Sequence, residues 1–349
     1  MYSFASDNVE GSAAEILAAL VRANDGQARP YGADAITARV EARLAELFEH
    51  EVGVLLVTSG TAANALGIAS LTPPWGRVLC HRDAHIHGDE CGAPEFYTGG
   101  AQLRLLGGPD AKIDVDELRS VAALDRGDVH SPQAACVSVT QITEGGAVYS
   151  LAELDEIGRV ARAAGLRVHM DGARFANAIA ALGCTPAQMT WRAGVDVLSF
   201  GATKNGAPGV EAVVTFDRGR LEELQFRRKR AGHLASKMRF LAAQMEAYLA
   251  DDLWLRCARH ANAMGARLAS GLAGITGVSL VSPVRANLLF VRFPGGVAQR
   301  LHDQGFAFHP DRRDPAAHRL VTSFATSPDA VDTFIDATRR AVDRDSSSH

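Results

Sequence analysis

The chain has 349 residues, 47% of them hydrophobic and 22% charged, enough apolar content for one large domain plus a smaller one, or two comparable ones. Its 36 basic and 40 acidic side chains leave a formal charge of -4, so no global field recruits DNA, RNA or an anionic membrane surface. No run of eighteen apolar residues occurs, and MYSFASDNVEG lacks the basic start and apolar stretch of an export signal, so neither membrane spanning nor secretion is expected. The five cysteines, Cys80, Cys91, Cys136, Cys184 and Cys257, include no CxxC pair and lie in or beside apolar segments. They read as small core residues of a protein kept in a reducing cytoplasm.

Short, mostly β-branched apolar runs recur through the first two thirds: VGVLLV near 54, RVLC near 78, QLRLL near 103, AACVSV near 136, LRVHM near 168, VDVLSF near 197 and EAVVTF near 213. Longer stretches with helical spacing separate them. In SLAELDEIGRVARAAG, Leu151, Leu154, Ile157, Val160 and Ala161 trace one face, and Gly165 stops the helix. This alternation predicts an α/β fold, a mostly parallel sheet with helices on both sides. From about 218 to 273 the pattern reads as helical without interruption. Two strands, NLLFVRF and HRLVTSF, separated by a helix, and a final helix DAVDTFIDATRRAV then form a smaller α+β unit. The expected organisation is a large domain over 1–245 and a small C-terminal α+β domain over 246–349. The polar end RDSSSH reads as frayed, and no internal repeat is visible.

Three segments carry chemistry. In FGATKNG, Lys204 directly follows the apolar run VDVLS, a place where an ammonium loses hydration and its pKa falls. HMDGARF ends a strand with Asp171, then supplies Gly172 and Arg174; ligands of α/β sheets bind at the carboxyl ends of strands. VTSGTAANALGIASL reads as a turn bearing Ser59, Gly60 and Thr61, then a helix whose free N–H groups and dipole favour a phosphate. Taken singly, these are commonly a solvated edge lysine, a DG turn and an N-cap. Their order, each after a predicted strand of one sheet, fits a single ligand. Pyridoxal 5'-phosphate requires an amine to form an imine with its aldehyde, an acid facing its ring nitrogen and a cradle for its phosphate.

Further segments add to this pattern: SDN near the start, YGAD at 31, SGTAAN at 59, AHIHGDECGAPEF at 84, the box Asp171-Gly172-Ala173-Arg174, ATKNG around Lys204 and HRLVTS at 318. Over nearly its whole length the chain resembles the threonine aldolases of the aromatic amino acid β-eliminating lyase group, most of all the bacterial low-specificity L-threonine aldolases. The resemblance implies an aspartate aminotransferase-like fold (fold type I). Lys204 then holds the cofactor, Asp171 faces its ring nitrogen, and Gly60 and Thr61 take its phosphate. His85 stacks on the ring and reaches the substrate's β-hydroxyl. Arg174 and Arg319 engage a ring oxygen or the substrate carboxylate, with Ser6 beside it. Tyr31 approaches a partner subunit's site and Arg239 lends a cation to the neighbouring phosphate, implying a cytoplasmic homodimer or homotetramer with shared active sites. The implied reaction is retro-aldol cleavage of L-threonine, L-allo-threonine and other L-3-hydroxy-α-amino acids to glycine and an aldehyde. Phenylserine cleavage or β-elimination on the same cofactor is the alternative.

One departure bears on the proton chemistry. Many relatives carry a histidine in a THN motif where this chain has QITEGG, which places Thr143 or Glu144 there. The base is therefore His85, His87, His130 or a water near Thr143 and Glu144. Two rivals come from other motifs. HRDAHIHGDEC offers His81, His85, His87, Asp89, Glu90 and Cys91 to a metallohydrolase zinc, but matches no HExxH spacing and leaves Lys204 unexplained. RRKR, Arg227 to Arg230, suits a nucleic-acid patch on a catalytically silent regulator, or simply a solvated helix face.

Overall fold

The computed structural model describes residues 2–124 and 126–346. Its centre is a seven-stranded sheet in the order Gly53–Val57, Glu211–Thr215, Val197–Gly201, Arg167–Gly172, Gln133–Thr140, Gly76–His81 and Gln102–Leu106. All strands run parallel except Glu211–Thr215, which is antiparallel to both neighbours. These are the seven apolar runs of the sequence. Gly53–Val57, Val197–Gly201 and Glu211–Thr215 are buried along their whole length, as strands covered on both faces must be.

Neighbouring residues on a strand feed opposite cores, as a pleat of period two requires. Leu56, Val137, Leu198 and Val214 join the larger cluster with Phe48, Phe175, Phe200 and Trp254. Leu55, Cys136, Val197 and Val213 pack on the other face against helix Gly60–Leu71. Helix Leu151–Ala163 opens on a capping box, in which Ser150 Oγ accepts from Glu153 N at 3.3 Å and Glu153 Oε2 accepts from Ser150 N at 2.7 Å. Gly165, at φ 67, turns the chain out of that helix.

The expected unbroken helix over 218–273 is three helices, Leu221–Arg230, Arg239–Leu249 and Leu253–Ala273. Gly232 (φ 79) lies in the first break, and left-handed Asp251 and Asp252 (φ 48 and 54) make the second. The expected domain boundary at 245/246 falls inside Arg239–Leu249, whose buried face of Ala242, Met245 and Tyr248 belongs to the larger core. A second core starts at Met264 in the long helix, ends on helix Pro328–Ser346, and includes Phe4 from the start of the chain. Strand Tyr2–Ser3 pairs in parallel with Phe306–Ala307, so packing places the N-terminal segment with the C-terminal unit. That unit's sheet has four strands where the sequence suggested two, in the order His309–Pro310, His318–Val321, Leu288–Arg292, Ser279–Leu280.

Of the polar end RDSSSH, Ser347 to His349 lie outside the described residues. Among the described residues no helix is long and apolar enough to cross a membrane. Cys80, Cys136 and Cys257 are buried and Cys184 half-buried. Cys91 departs from the core expectation: it is exposed, at φ 53 in the turn between His85–Gly88 and Ala93–Thr98.

Candidate active site

Parallel strands bring their carboxyl ends to one edge of the sheet, where ligands of this architecture bind. From that edge rise the turn into Gly60–Leu71, the segment with His85, the loop with Glu144, the Asp171 to Arg174 turn and the Thr203–Asn205 turn holding Lys204. Glu211, at the start of the antiparallel strand, pairs with Gly201 and Val57 and shares this edge. The Asp171 and Lys204 loops meet backbone to backbone. A Cβ on Gly201 would lie 2.6 Å from Ala173 O, and one on Gly172 2.7 Å from Ser199 O, so glycine sets their approach.

Lys204 stands apart from the other lysines, of which the chain has four in all. Lys112 pairs with Glu153 at 2.8 Å, Lys229 lies 5.3 Å above the Tyr31 ring, and Lys237 is exposed. Lys204 makes no hydrogen bond or ion pair with any described residue. Burial, then the Arg174 charge, pulls its pKa down; Asp7, Asp171 and Glu211 pull the other way. Its turn is pinned by Asn205 Nδ2, which donates to Tyr248 Oη at 2.7 Å and Trp254 O at 2.8 Å. Glu211 Oε2 accepts from Ala202 N at 2.8 Å, and burial pushes that carboxyl up to about 7.

Asp171 is buried and accepts from Asn64 Nδ2 at 2.9 Å and Ala173 N at 3.0 Å. The same Asn64 nitrogen donates to Glu90 Oε1 at 2.8 Å, which also lies 2.8 Å from His85 Nδ1. The hydrogen bond to Glu90 raises the His85 pKa against the effect of burial, with Asp171 assisting. Burial raises Glu90, and Asp171 raises it further. Glu144 Oε1 accepts from His85 N at 2.7 Å, and burial followed by the Asp171 charge pushes its carboxyl up to about 7. The outer oxygens of Glu90 and Glu144 are buried without a hydrogen-bond partner.

On the anion side, Ser59 Oγ caps the helix at Ala62 N, 3.2 Å away. Gly60 and Thr61 begin that helix, where backbone N–H groups have no intrahelical acceptor; a Cβ on Gly60 would meet nothing within 4 Å. On the opposite side, Arg174 uses two nitrogens on Asp7, at 2.7 and 2.9 Å. Burial alone would raise Asp7, but the charges of Arg174 and Lys204, with hydrogen bonds from Arg174 and Asn287, bring it below its ordinary value. The expected carboxylate fork at Arg174 is thus engaged within the chain. Arg319 donates through Nη2 to Ala5 O at 3.0 Å, while its buried Nε has no partner. Burial, then Arg174, lowers its pKa. Ser6 is half-buried beside these groups in sequence, its hydroxyl accepting from Asn8 N at 3.1 Å.

Several expected residues lie elsewhere. Tyr31 is 50% exposed and its N donates to Ser236 O. Arg239 donates to Asp25 O and Gly26 O at 3.3 and 3.0 Å; neither contacts the cluster above. His87 Nδ1 lies 2.9 Å from Arg82 O, and the residue is exposed. His130 precedes the amino end of Gln133–Thr140, the far edge of the sheet. The Thr143 hydroxyl donates to Asp110 O at 2.8 Å. In RRKR, Arg227 pairs with Glu223 and burial lowers the pKa of Arg228, so the run is not a uniform basic stripe. The supposed zinc cluster disperses too: His81 bonds Gly108 O and Asp83 N. His85, Glu90 and Asp171 do converge within 4.8 Å, with Asn64 Nδ2 donating to both carboxylates at 2.8 and 2.9 Å.

Sequence reasoning passed over Asn64, Asp7 and Glu211, and considered Glu90 only as a metal ligand. One signal was available for Asn64: an amide inside a mostly apolar helix, buried from Ala62 to Leu71, needs hydrogen-bond partners.

The model of the beta-eliminating lyase family matches residues 3–294. Over 306 residues the chain is 45% identical to the low specificity L-threonine aldolase of a Pseudomonas species, covering 88% of each protein. A threonine aldolase structure from Leishmania major, 28% identical, matches with a TM-score of 0.91 over 98% of this chain and 100% of that one. Aspartate aminotransferase from Thermus thermophilus, 15% identical, has the same fold, with a TM-score of 0.70 over 98% of this chain and 91% of its own.

Proposed function

The chain belongs to the beta-eliminating lyase family, and from this we propose that it is a pyridoxal-phosphate-dependent aldolase. It splits L-threonine, L-allo-threonine and other L-3-hydroxy-α-amino acids into glycine and an aldehyde. The observation that carries this reading is Lys204, a desolvated amine without a partner, facing the same sheet edge as Asp171 and the open N–H groups at Gly60 and Thr61. That donor set matches the aldehyde, ring nitrogen and phosphate of the cofactor, which when bound supplies the electron sink for the pair released as the Cα–Cβ bond breaks.

The chain's own groups do the rest. The lowered pKa of Lys204 keeps more of its amine neutral, hence nucleophilic. Asp171 presents its carboxylate to the ring nitrogen, held in place by Asn64 and Ala173. Arg319, whose Nε lacks a partner, takes the substrate carboxylate and so selects which Cα bond breaks. Ser6 sits between Ala5, whose carbonyl accepts from Arg319, and Asp7. Arg174 acts through Asp7, steadying the N-terminal segment that carries Ser6. His85 has Nδ1 engaged by Glu90, leaving Nε2 to accept the β-hydroxyl proton. The position of His130 before the amino end of Gln133–Thr140 and the bond of the Thr143 hydroxyl to Asp110 O support His85 over these two.

The protein acts as a homodimer or homotetramer in a reducing cytoplasm, with Tyr31 and Arg239 completing the neighbouring subunit's site. The test supplies L-threonine, L-allo-threonine, L-phenylserine and L-serine separately and identifies the products. Acetaldehyde with glycine from the first two supports the assignment. Pyruvate with ammonia makes the protein a β-eliminating lyase instead, and benzaldehyde with no acetaldehyde makes it a phenylserine aldolase.

A further inference from the structure

We propose that Glu90 is the positioning residue of His85. It holds the imidazole proton on Nδ1 and leaves Nε2 open, while Asn64 ties the Glu90 carboxylate to Asp171 so that the four side chains act as one hydrogen-bonded unit. The inference rests on the reading of His85 as acceptor of the β-hydroxyl proton.

Burial is asymmetric across the pair. The His85 side chain is 38% exposed and that of Glu90 not at all, so the ring has one face toward the open edge and its Nδ1 toward a sealed carboxylate. Glu90 Oε1 is shared by His85 Nδ1 and Asn64 Nδ2, each 2.8 Å away. Asn64 spends its other amide hydrogen on Asp171 Oδ2 at 2.9 Å. An amide has two hydrogens, both on nitrogen, so this arrangement fixes its orientation; turned over, it would set a carbonyl oxygen against two carboxylates. With Asn64 donating to it, Oε1 can serve His85 only as an acceptor unless Glu90 itself gives up a proton there. Nδ1 must then carry the hydrogen, and Nε2 of the neutral ring is a lone pair.

Of the charges around His85, Asp171 and Glu90 favour its cation and Lys204 opposes it, while Glu144 from the QITEGG loop holds the His85 backbone N–H. When Nε2 takes up the β-hydroxyl proton the ring becomes a cation, and Glu90 and Asp171, within 4.8 Å of it, stabilise that charge. The proton moves from the hydroxyl oxygen to Nε2, the O–H pair becomes the second C–O bond of the aldehyde, and the pair of the broken Cα–Cβ bond passes to the electron sink named above. No other reactant enters.

The experiment is nitrogen NMR of the histidine rings in the cofactor-free protein across pH, with His85 identified by its absence in His85→Asn. The tautomer of the native protein requires no variant of Glu90. The expected result is hydrogen on Nδ1 in the neutral form, and in Glu90→Gln a His85 midpoint lower by about one pH unit or more. In the loaded enzyme the same variant should lower kcat for L-threonine roughly tenfold or more and shift its acid limb, while leaving the affinity for glycine, which has no β-hydroxyl, unchanged. Hydrogen on Nε2 in the native protein, or a midpoint that does not move in Glu90→Gln, overturns the proposal. If the NMR result holds in a protein that cleaves no hydroxy amino acid, Glu90 still positions His85, and it is the reading of the reaction that falls.

Discussion

Burial strips an ammonium of hydration, and Lys204 has no carboxylate in contact to offset that loss. Its nearest named charges include Arg174, of like sign. Replacing it with alanine should therefore leave the melting temperature of the cofactor-free protein unchanged or higher, while turnover falls roughly a thousandfold or more; a thermal melt and a product assay check both halves. Glu144 gives a pH signature. Its carboxyl titrates near 7 when folded against 4.5 in the open chain, so between these values the folded state holds a proton that the unfolded state lacks. Stability must fall as pH rises through that window, by about 3 kcal/mol in total. His85, raised by Glu90, adds a loss in the same direction. The loss due to Glu144 is isolated by comparison with Glu144→Gln, whose denaturant midpoint should lack that component between pH 4.5 and 7.

The elements of the large sheet were legible because a strand covered on both faces must be apolar throughout, and the helices between them because one stripe faces the core. Lys204, Asp171 and Gly60 stood out as candidates for a related reason: each lies at or within three residues of the carboxyl end of such a strand. What stayed hidden depends on distance along the chain or on very short elements. Asn64 meets Asp171 across 107 positions and Glu90 across 26, and no local pattern encodes such a pairing. Strands of two residues, such as Tyr2–Ser3 and His309–Pro310, are too short for periodicity to register. The breaks around 231–238 and 250–252 lie in stretches whose composition still reads as helical, although aspartates accept the left-handed conformation that ends a helix. At this scale the glycine contact is the sharpest test. Gly201→Ala would press a methyl against the Ala173 backbone, costing about 1–3 kcal/mol of stability and forcing apart the loops of Asp171 and Lys204. Activity measured well below the melting temperature should fall further than that stability loss accounts for.

Across the whole molecule, the segment from Phe4 to Asp7 stitches the two units together. Phe4 lies in the second core, Val321 N donates to Phe4 O, Ala5 O holds Arg319, and Asp7 holds Arg174. The Arg319 guanidinium, proposed to take the substrate carboxylate, is thereby anchored by the same segment whose Tyr2–Ser3 strand pairs with Phe306–Ala307. A domain boundary drawn along the sequence cannot express that return of the chain. Among the described residues Arg239 bonds the exposed carbonyls of Asp25 and Gly26 and stacks on Phe240. Arg239→Ala should weaken pyridoxal phosphate affinity roughly tenfold with little change in melting temperature; titration of the cofactor into the variant decides this, and unchanged affinity removes Arg239 from the neighbouring site. The central claim is that Lys204 is the cofactor's attachment point, and borohydride reduction of the loaded protein followed by peptide mass mapping tests it most directly. The account predicts a pyridoxyl mass on the peptide containing Lys204 and none on those with Lys112, Lys229 or Lys237; the label on any of these three, or on no lysine at all, would contradict it.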